Sequence, residues 1–355
     1  MASGPSLAAR ATLAVVLMVG FYLLALAVVG ALLFIAFSEH AIGGRVHMRL
    51  VVACLIGAGA ILWSIVPRPD RFDPPWPRLA LESHPRLFGE IRRVAKATNQ
   101  AMPVEVYLDP DVNAWVAQRG GIMGIGSRRV MGVGLPLLAV LSVSEFRAVL
   151  AHEFGHFYGG DTGLGPWVYK TRTAIVRTIE NLVGSGRKLL YYPFLWYGKF
   201  FLRITNAVSR RQEMAADALA ARVAGAQALA AGLRKTHGAA VAFDSFMQSE
   251  LLPPLLQGFR PPMAEGFTRF LQAENVAKLA HDALRAEMLR MTGDPYDTHP
   301  PVKERLAALA RTPSQLPASD PQAISLLDSV PEWEAQLLKA VTGDSDILTL
   351  KTIGW

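Results

Sequence analysis

The sequence is short of cysteine and short of charge. Its single cysteine, Cys54, excludes a disulfide framework and a thiolate metal cluster. Asp, Glu, Lys and Arg make up only 18% of the 355 residues, against about 25% in an ordinary soluble domain. Part of the chain is therefore expected in lipid. General disorder is excluded by 51% hydrophobic residues, because a disordered chain needs low hydropathy. The excess of Lys+Arg over acids, 36 against 29, is mild and scattered, which favours an anionic membrane surface and no nucleic-acid partner. A nucleotide fingerprint is also missing. Gly120, Gly121, Gly124 and Gly126 match no phosphate-loop spacing, and they read as hairpin glycines. There is no internal repeat.

What is present begins with two uncharged runs. Residues 11–37 form 27 consecutive positions without charge, enough to span a bilayer core of about 20 helical residues with some tilt. A secretory h-region runs only about 7–15 residues, so length favours a span. A second run of 18 positions covers residues 50–67 and ends at Arg68. Together they predict a transmembrane helical hairpin over residues 1–67. Arg68, Arg71, Arg78, Arg86, Arg92, Arg93 and Lys96 follow the second span, so the positive-inside rule places the rest of the chain in the cytoplasm.

After a Pro-rich linker around Asp73-Pro74-Pro75-Trp76-Pro77 the pattern turns globular. Ser83 is the expected cap of a helix reaching about Gln100. Strands are expected over 103–108, 112–117 and 128–133, with almost everything afterwards helical. Breaks are expected at Gly159-Gly160, Pro253-Pro254, Pro261-Pro262 and Pro300-Pro301. Residues 160–208 are basic in their first half. Their second half is aromatic, carrying Tyr191, Tyr192, Phe194, Trp196, Tyr197, Phe200 and Phe201. Aromatics beside Lys199 and Arg203 favour the headgroup level of a bilayer over a full span; the competing reading is a buried aromatic core.

The sharpest motif is His152-Glu153-Phe154-Gly155-His156. On a helix, residues four apart lie on one face, so both imidazoles can reach one ion about 2.0–2.1 Å away. Glu153 stands next to them as a base for a water activated by that ion. The helix is well specified by the capping box Ser142-Val143-Ser144-Glu145, and Gly159 is expected to end it. A catalytic zinc takes three protein ligands, so a His or an acid is wanted downstream. Glu213 is the best candidate, with Asp217 one helical turn on as a hydrogen-bond partner for a ligating imidazole. Spacing alone equally allows two acids on a solvated face beside Arg210 and Arg211.

Those motifs, taken with Thr298-His299-Pro300-Pro301 and Arg305, resemble the integral-membrane zinc metallopeptidases of family M48 from about Phe88 to Leu309. That family includes HtpX-type, Ste24-type CaaX and mitochondrial Oma1-type proteases. The resemblance implies His152, His156 and Glu213 as ligands of one Zn²⁺, Glu153 as general base and Asp217 behind the ligands. It also implies a substrate-binding edge strand beginning at Asn113-Ala114-Trp115-Val116. His299 becomes a candidate oxyanion or substrate donor, while Arg305 either holds substrate or pairs with the acids near the metal. HtpX-type members usually carry two further spans between the metal helix and the third ligand. This chain has the basic, aromatic segment in that interval, which argues against a close HtpX equivalent. A Ste24-type chain has seven spans, so CaaX processing does not fit.

The expected fold is α+β and mostly helical, a zincin-like metallopeptidase domain over 68–312 with a small β-sheet. The C-terminal segment 313–355 receives no role. The expected function is a membrane-anchored zinc endopeptidase acting on extended polypeptide segments at a bacterial-type cell membrane, in protein quality control by resemblance. The alternative is a membrane-bound regulator or scaffold that keeps the zinc fold without proteolysis.

Overall fold

The computed structural model describes residues 7–41, 47–122, 124–157, 165–184, 188–289, 300–312, 319–343 and 345–355. It opens on α1 (Leu7–Ala41) and α2 (Met48–Ile65), both long and apolar enough to cross a bilayer. α1 buries Leu17, Phe21, Ala25, Val29, Leu32 and Ala36, at the three- and four-residue spacing of one helix face. Its other face leaves Val16, Leu23, Phe34 and Phe37 exposed, as α2 leaves Trp63. Apolar faces this extensive suit lipid and not water. α2 stops at Ile65 because Pro67 holds Val66 in extended backbone.

The globular part is built on a four-stranded sheet. Its strands are β1 (Arg78–Leu79), β2 (Glu105–Asp109), β3 (Ala114–Arg119) and β4 (Arg128–Gly134), in the order β1-β2-β4-β3. β2 and β4 run parallel in the centre, and β3 lies antiparallel on the edge. α3 (Pro85–Ala97) starts one residue later than the sequence suggests. His84 precedes it, and Pro85 opens it with a preset φ, so Ser83 is not its cap. After α4 (Leu135–Val140) comes α5 (Val143–Gly155), which packs under β3.

The basic, aromatic interval is helical. α6 (Gly165–Gly184) and the first half of α7 (Lys188–Ala224) form a hairpin against α1 and α2. Tyr197 Oη donates to the Leu17 carbonyl at 2.5 Å, and Asn181 donates to Ser64 Oγ at 2.8 Å. Phe21 meets Phe194 edge to face. Those contacts set the hairpin beside the first half of α1 and the last turn of α2. α7 then continues into the globular part, about 55 Å end to end at 1.5 Å per residue.

α8 (Ala226–Phe246) runs through a π-helical turn at Met247–Leu251 into α9 (Leu252–Leu256). Pro253 and Pro254 therefore sit in the first turn of a helix, where their missing N–H groups are harmless, and they do not break it as expected. β5 (Phe259–Arg260), α10 (Met263–Phe270), α11 (Glu274–Leu289) and α12 (Val302–Leu309) follow, then α13 (Val330–Thr342) and β6 (Lys351–Thr352).

The C-terminal segment is part of the globular core. Its Pro321 carbonyl accepts from Val143 N at 2.9 Å, and Asp320 Oδ1 accepts from Ser144 N at 2.9 Å. Two orphan amides at the start of α5 are thus capped from far along the chain. Further on, Glu334 accepts from Ala264 N, β6 pairs with β5, and Trp355 packs on Phe246 and over Gly266. Ending the chain after Thr312 is expected to lower the thermal midpoint of the whole protein by many degrees. Asp320→Asn should cost roughly 1.5–3 kcal/mol, the range for a hydrogen bond to a charged group. Burial would raise the Asp320 pKa, but hydrogen bonds from Ser142 and Ser144 outweigh it and hold the carboxyl below 3.8. A depressed carboxylate stabilises above its unfolded pKa and loses that contribution as pH falls through the folded value. The difference between wild type and Asp320→Asn, read by scanning fluorimetry, should therefore shrink below about pH 4.

Candidate metal centre and active site

α5 is fixed at its start by the capping box: Ser142 N donates to Glu145 Oε2 at 2.8 Å, and Glu145 N donates to Ser142 Oγ at 3.4 Å. Phe146, Leu150 and Phe154 are fully buried beneath the sheet, which orients the opposite side of α5 toward α7. The helix ends at Gly155, with His156 as its C-cap, earlier than expected. Gly159 lies outside the described residues.

Gly155 explains itself at the contact with α7. A Cβ there would lie 2.9 Å from both Cα and Cβ of Ala216. Only a bare backbone lets the two helices approach this closely. The approach brings Glu213 and Asp217 against the histidines, with side chains that are 4% and 2% exposed. A solvated acidic face is thereby excluded.

Ligand-type atoms of His152, His156 and Glu213 all fall within 4.8 Å of one another. His152 Nε2 is 3.5 Å from Glu213 Oε2, and His156 Nε2 is 3.5 Å from Glu213 Oε1. Tetrahedral ligands about 2.0–2.2 Å from one ion stand roughly 3.3–3.6 Å apart, so each His–Glu213 contact, made to a different carboxylate oxygen, has a separation compatible with zinc. Two imidazoles and one carboxylate without sulfur fit it chemically as well. Behind them Asp217 Oδ1 accepts from His152 Nδ1 at 2.9 Å, which fixes the tautomer and turns Nε2 toward Glu213. Burial alone would lower the His152 pKa, but the bonds to Asp217 and then Glu213 outweigh it and raise it to about 9. A metal bound at Nε2 would displace that proton.

Arg305, in the first turn of α12, is buried and grips Asp217 with both arms, Nε to Oδ2 and Nη2 to Oδ1, each at 2.7 Å. Its Nη1 lies 3.8 Å from Glu213. Of the two positions open to it, this one is beside the acids. Burial would raise the Asp217 pKa; the Arg305 bonds, then the His152 bond, outweigh it and lower it. Glu153 is half-buried, and its charge acts on both His152 and Arg305.

β3 pairs only with β4 among the described residues, leaving one edge without a strand. Asn113 precedes β3 and donates its backbone N–H to the Asp111 carbonyl, while Ala114 begins the strand. Trp115 stands on the outer face, Nε1 donating to Asp109 at 2.8 Å, and its ring fills the space a side chain at Gly132 would need. Val116 turns inward onto the core. Thr298 and His299 lie outside the described residues. The sequence reading missed Gly155 as the contact point and Asp320 as a helix cap. A glycine between two ligands was the one available signal for the first.

Two imidazoles and a carboxylate on adjoining helices, beside a sheet with an open edge, define a metallopeptidase-like protein. The family model described as Peptidase family M48 matches residues 82–312. The chain belongs to that family. It is 28% identical to the Protease HtpX of Xanthomonas oryzae pv. oryzae (strain PXO99A) over 247 residues, 63% of this chain and 70% of that protein. To the Protease HtpX of Xylella fastidiosa (strain M12) it is 28% identical over 246 residues, 63% of this chain and 71% of that one. These relatives and the two apolar helices make it a membrane-associated metalloprotease of HtpX type. The helical hairpin of α6 and α7 stands in the interval whose basic, aromatic sequence weakened the case for a close HtpX equivalent. No solved structure matches the chain.

Gly155→Ala is expected to part α5 from α7 by a few tenths of an ångström and weaken metal binding about ten-fold or more, read by chelator competition. Adding Ala216→Gly should recover part of the loss. Asp217→Asn should cost about 10–100-fold in metal affinity, because His152 loses its tautomer lock and Arg305 its counter-ion.

Proposed function

We propose that the protein is a membrane-anchored zinc endopeptidase whose globular domain faces the cytoplasm and cuts extended polypeptide segments. The observation that carries this reading is the convergence of His152, His156 and Glu213, with Glu153 alongside. His152, His156 and Glu213 would hold one Zn²⁺. When bound, the ion supplies Lewis acidity, which polarises a carbonyl and acidifies water.

The chain's own residues do the rest. Glu153 accepts the proton of the attacking water and passes it to the leaving amine. Asp217 orients His152, and Arg305 balances the charge of Asp217 so that two buried acids can coexist. A substrate strand pairs along the open edge of β3 at Ala114, Trp115 and Val116, with Asn113 at its head, which keeps the scissile bond extended above α5. His299 is assigned as a donor to the oxyanion on the strength of the family resemblance alone. The cytoplasmic side follows from the arginines that succeed α2. A role in membrane protein quality control rests on the family resemblance alone.

The zinc-fold scaffold is the other reading, and one experiment separates the two. Full-length protein in lipid vesicles is assayed on an unfolded reporter polypeptide alongside Glu153→Gln, with zinc measured in both. Endopeptidase function predicts about one zinc per chain in each and a loss of cleavage of roughly 10²–10⁴-fold in the variant. Zinc-loaded wild type that does not cleave would favour the scaffold, and equal cleavage by both would remove Glu153 as the base.

A further inference from the structure

The turn between β3 and β4 is built by glycine and ends in apolar side chains. Gly120, Gly121, Gly124 and Gly126 all adopt positive φ, between 71° and 88°. Ile122 and Ile125 exchange backbone hydrogen bonds across the tip, N to O at 3.1 and 3.0 Å. Their side chains point away from the protein, 52% and 82% exposed. Polar residues ordinarily occupy such a tip, and nothing in the core needs these two.

The turn is anchored to the membrane end of the chain. Asp70 N donates to the Gly121 carbonyl at 2.8 Å, and the Asp70 carboxylate accepts from Gly120 N and from Arg119 Nε, each at 2.9 Å. Asp70 lies four residues beyond Val66, the cap of α2, and so within about 14 Å of that helix's end, one hydrogen bond from the turn. Phe72 continues the clamp, meeting Trp115 edge to face and lying beneath Arg119. Cations gather at the same level. The charge of Lys170 reaches Asp70, and that of Arg68 reaches Arg177. Lys170 Nζ and Arg177 Nε are buried without a hydrogen-bond partner among the described residues. Cationic groups beside a turn that exposes isoleucines are the chemistry of a bilayer's headgroup layer.

We propose that the β3–β4 turn is an additional membrane contact, with Ile122 and Ile125 entering the headgroup–acyl boundary and holding the β3 edge at the bilayer surface. The proposal rests on α1 and α2 spanning the membrane. Through Asp70 it ties the strand meant for substrate to the end of a transmembrane helix, so the cleft keeps a set height above the lipid.

The test uses the full chain with Cys54→Ser and a single cysteine at Ile125→Cys, carrying an environment-sensitive nitrobenzoxadiazole label. The protein is reconstituted into vesicles of phosphatidylcholine and phosphatidylglycerol. Leu256→Cys is the control, an apolar position equally exposed at 88% but with no tie to the juxtamembrane linker. The expected result is a blue-shifted emission at Ile125→Cys and about a two-fold loss of emission with shallow spin-labelled lipids, with neither at Leu256→Cys. Ile122→Cys repeats the reading independently. Emission matching the control would overturn the proposal, as would a shift that appears only when a peptide substrate is added in detergent, which would make the turn a substrate contact. Co-flotation with the vesicles reports on α1 and α2 separately from the label.

Discussion

The closest approach of α5 to α7, backbone against backbone at Gly155 and Ala216, is the contact on which the rest of the molecule depends. It brings an acid from residue 213 within ligand distance of two histidines at 152 and 156. Each helix is held in place for that meeting by remote parts of the chain. α5 is capped by its own Ser142 and Glu145 and by the C-terminal Asp320 and Pro321. α7 is gripped at its far end by α1 through Phe194 and Tyr197. The same helix that lies beside the apolar pair thus delivers Glu213 and Asp217.

Electrostatics explains why the arrangement tolerates burial. Two carboxylates within one turn of α7 would repel each other in a dry site. Arg305 meets Asp217 with a bidentate fork and reaches toward Glu213, while His152 Nδ1 donates to Asp217. Glu213 faces the two imidazoles, where a divalent cation would complete the balance. Removing one partner of such a cluster leaves an uncompensated buried charge, so its members constrain one another.

Much of this was legible from residue types and spacing. The apolar runs, the capping box, the two histidines one turn apart and the later Glu213 and Asp217 each carry a local signal. Strands β2, β3 and β4 were readable from alternation, to within a residue or two. Other features depend on tertiary context. Pro85 and Pro253 start helices because of where neighbouring elements end, which no short window contains. Asp320 is an unremarkable acid in sequence, and its value lies in reaching an amide at residue 144. β5 and β6 are two residues each, too short for any periodicity. The basic, aromatic interval looked ambiguous because Ile175, Phe194 and Phe201 pack with α1 and α2 while Trp196 and Phe200 stay exposed beside Lys199 and Arg203.

The two apolar helices, the linker and the sheet edge form one connected path from lipid to site, with Asp70 between the end of α2 and the start of the β3–β4 turn. All of it has meaning only if the central donor set binds a metal. X-ray absorption at the zinc edge of purified, membrane-extracted protein tests that most directly. The account predicts stoichiometric zinc in a shell of nitrogen and oxygen at about 2.0–2.2 Å that includes two imidazoles and no sulfur. A sulfur shell near about 2.3 Å, or protein that folds and cleaves with no metal, would contradict it.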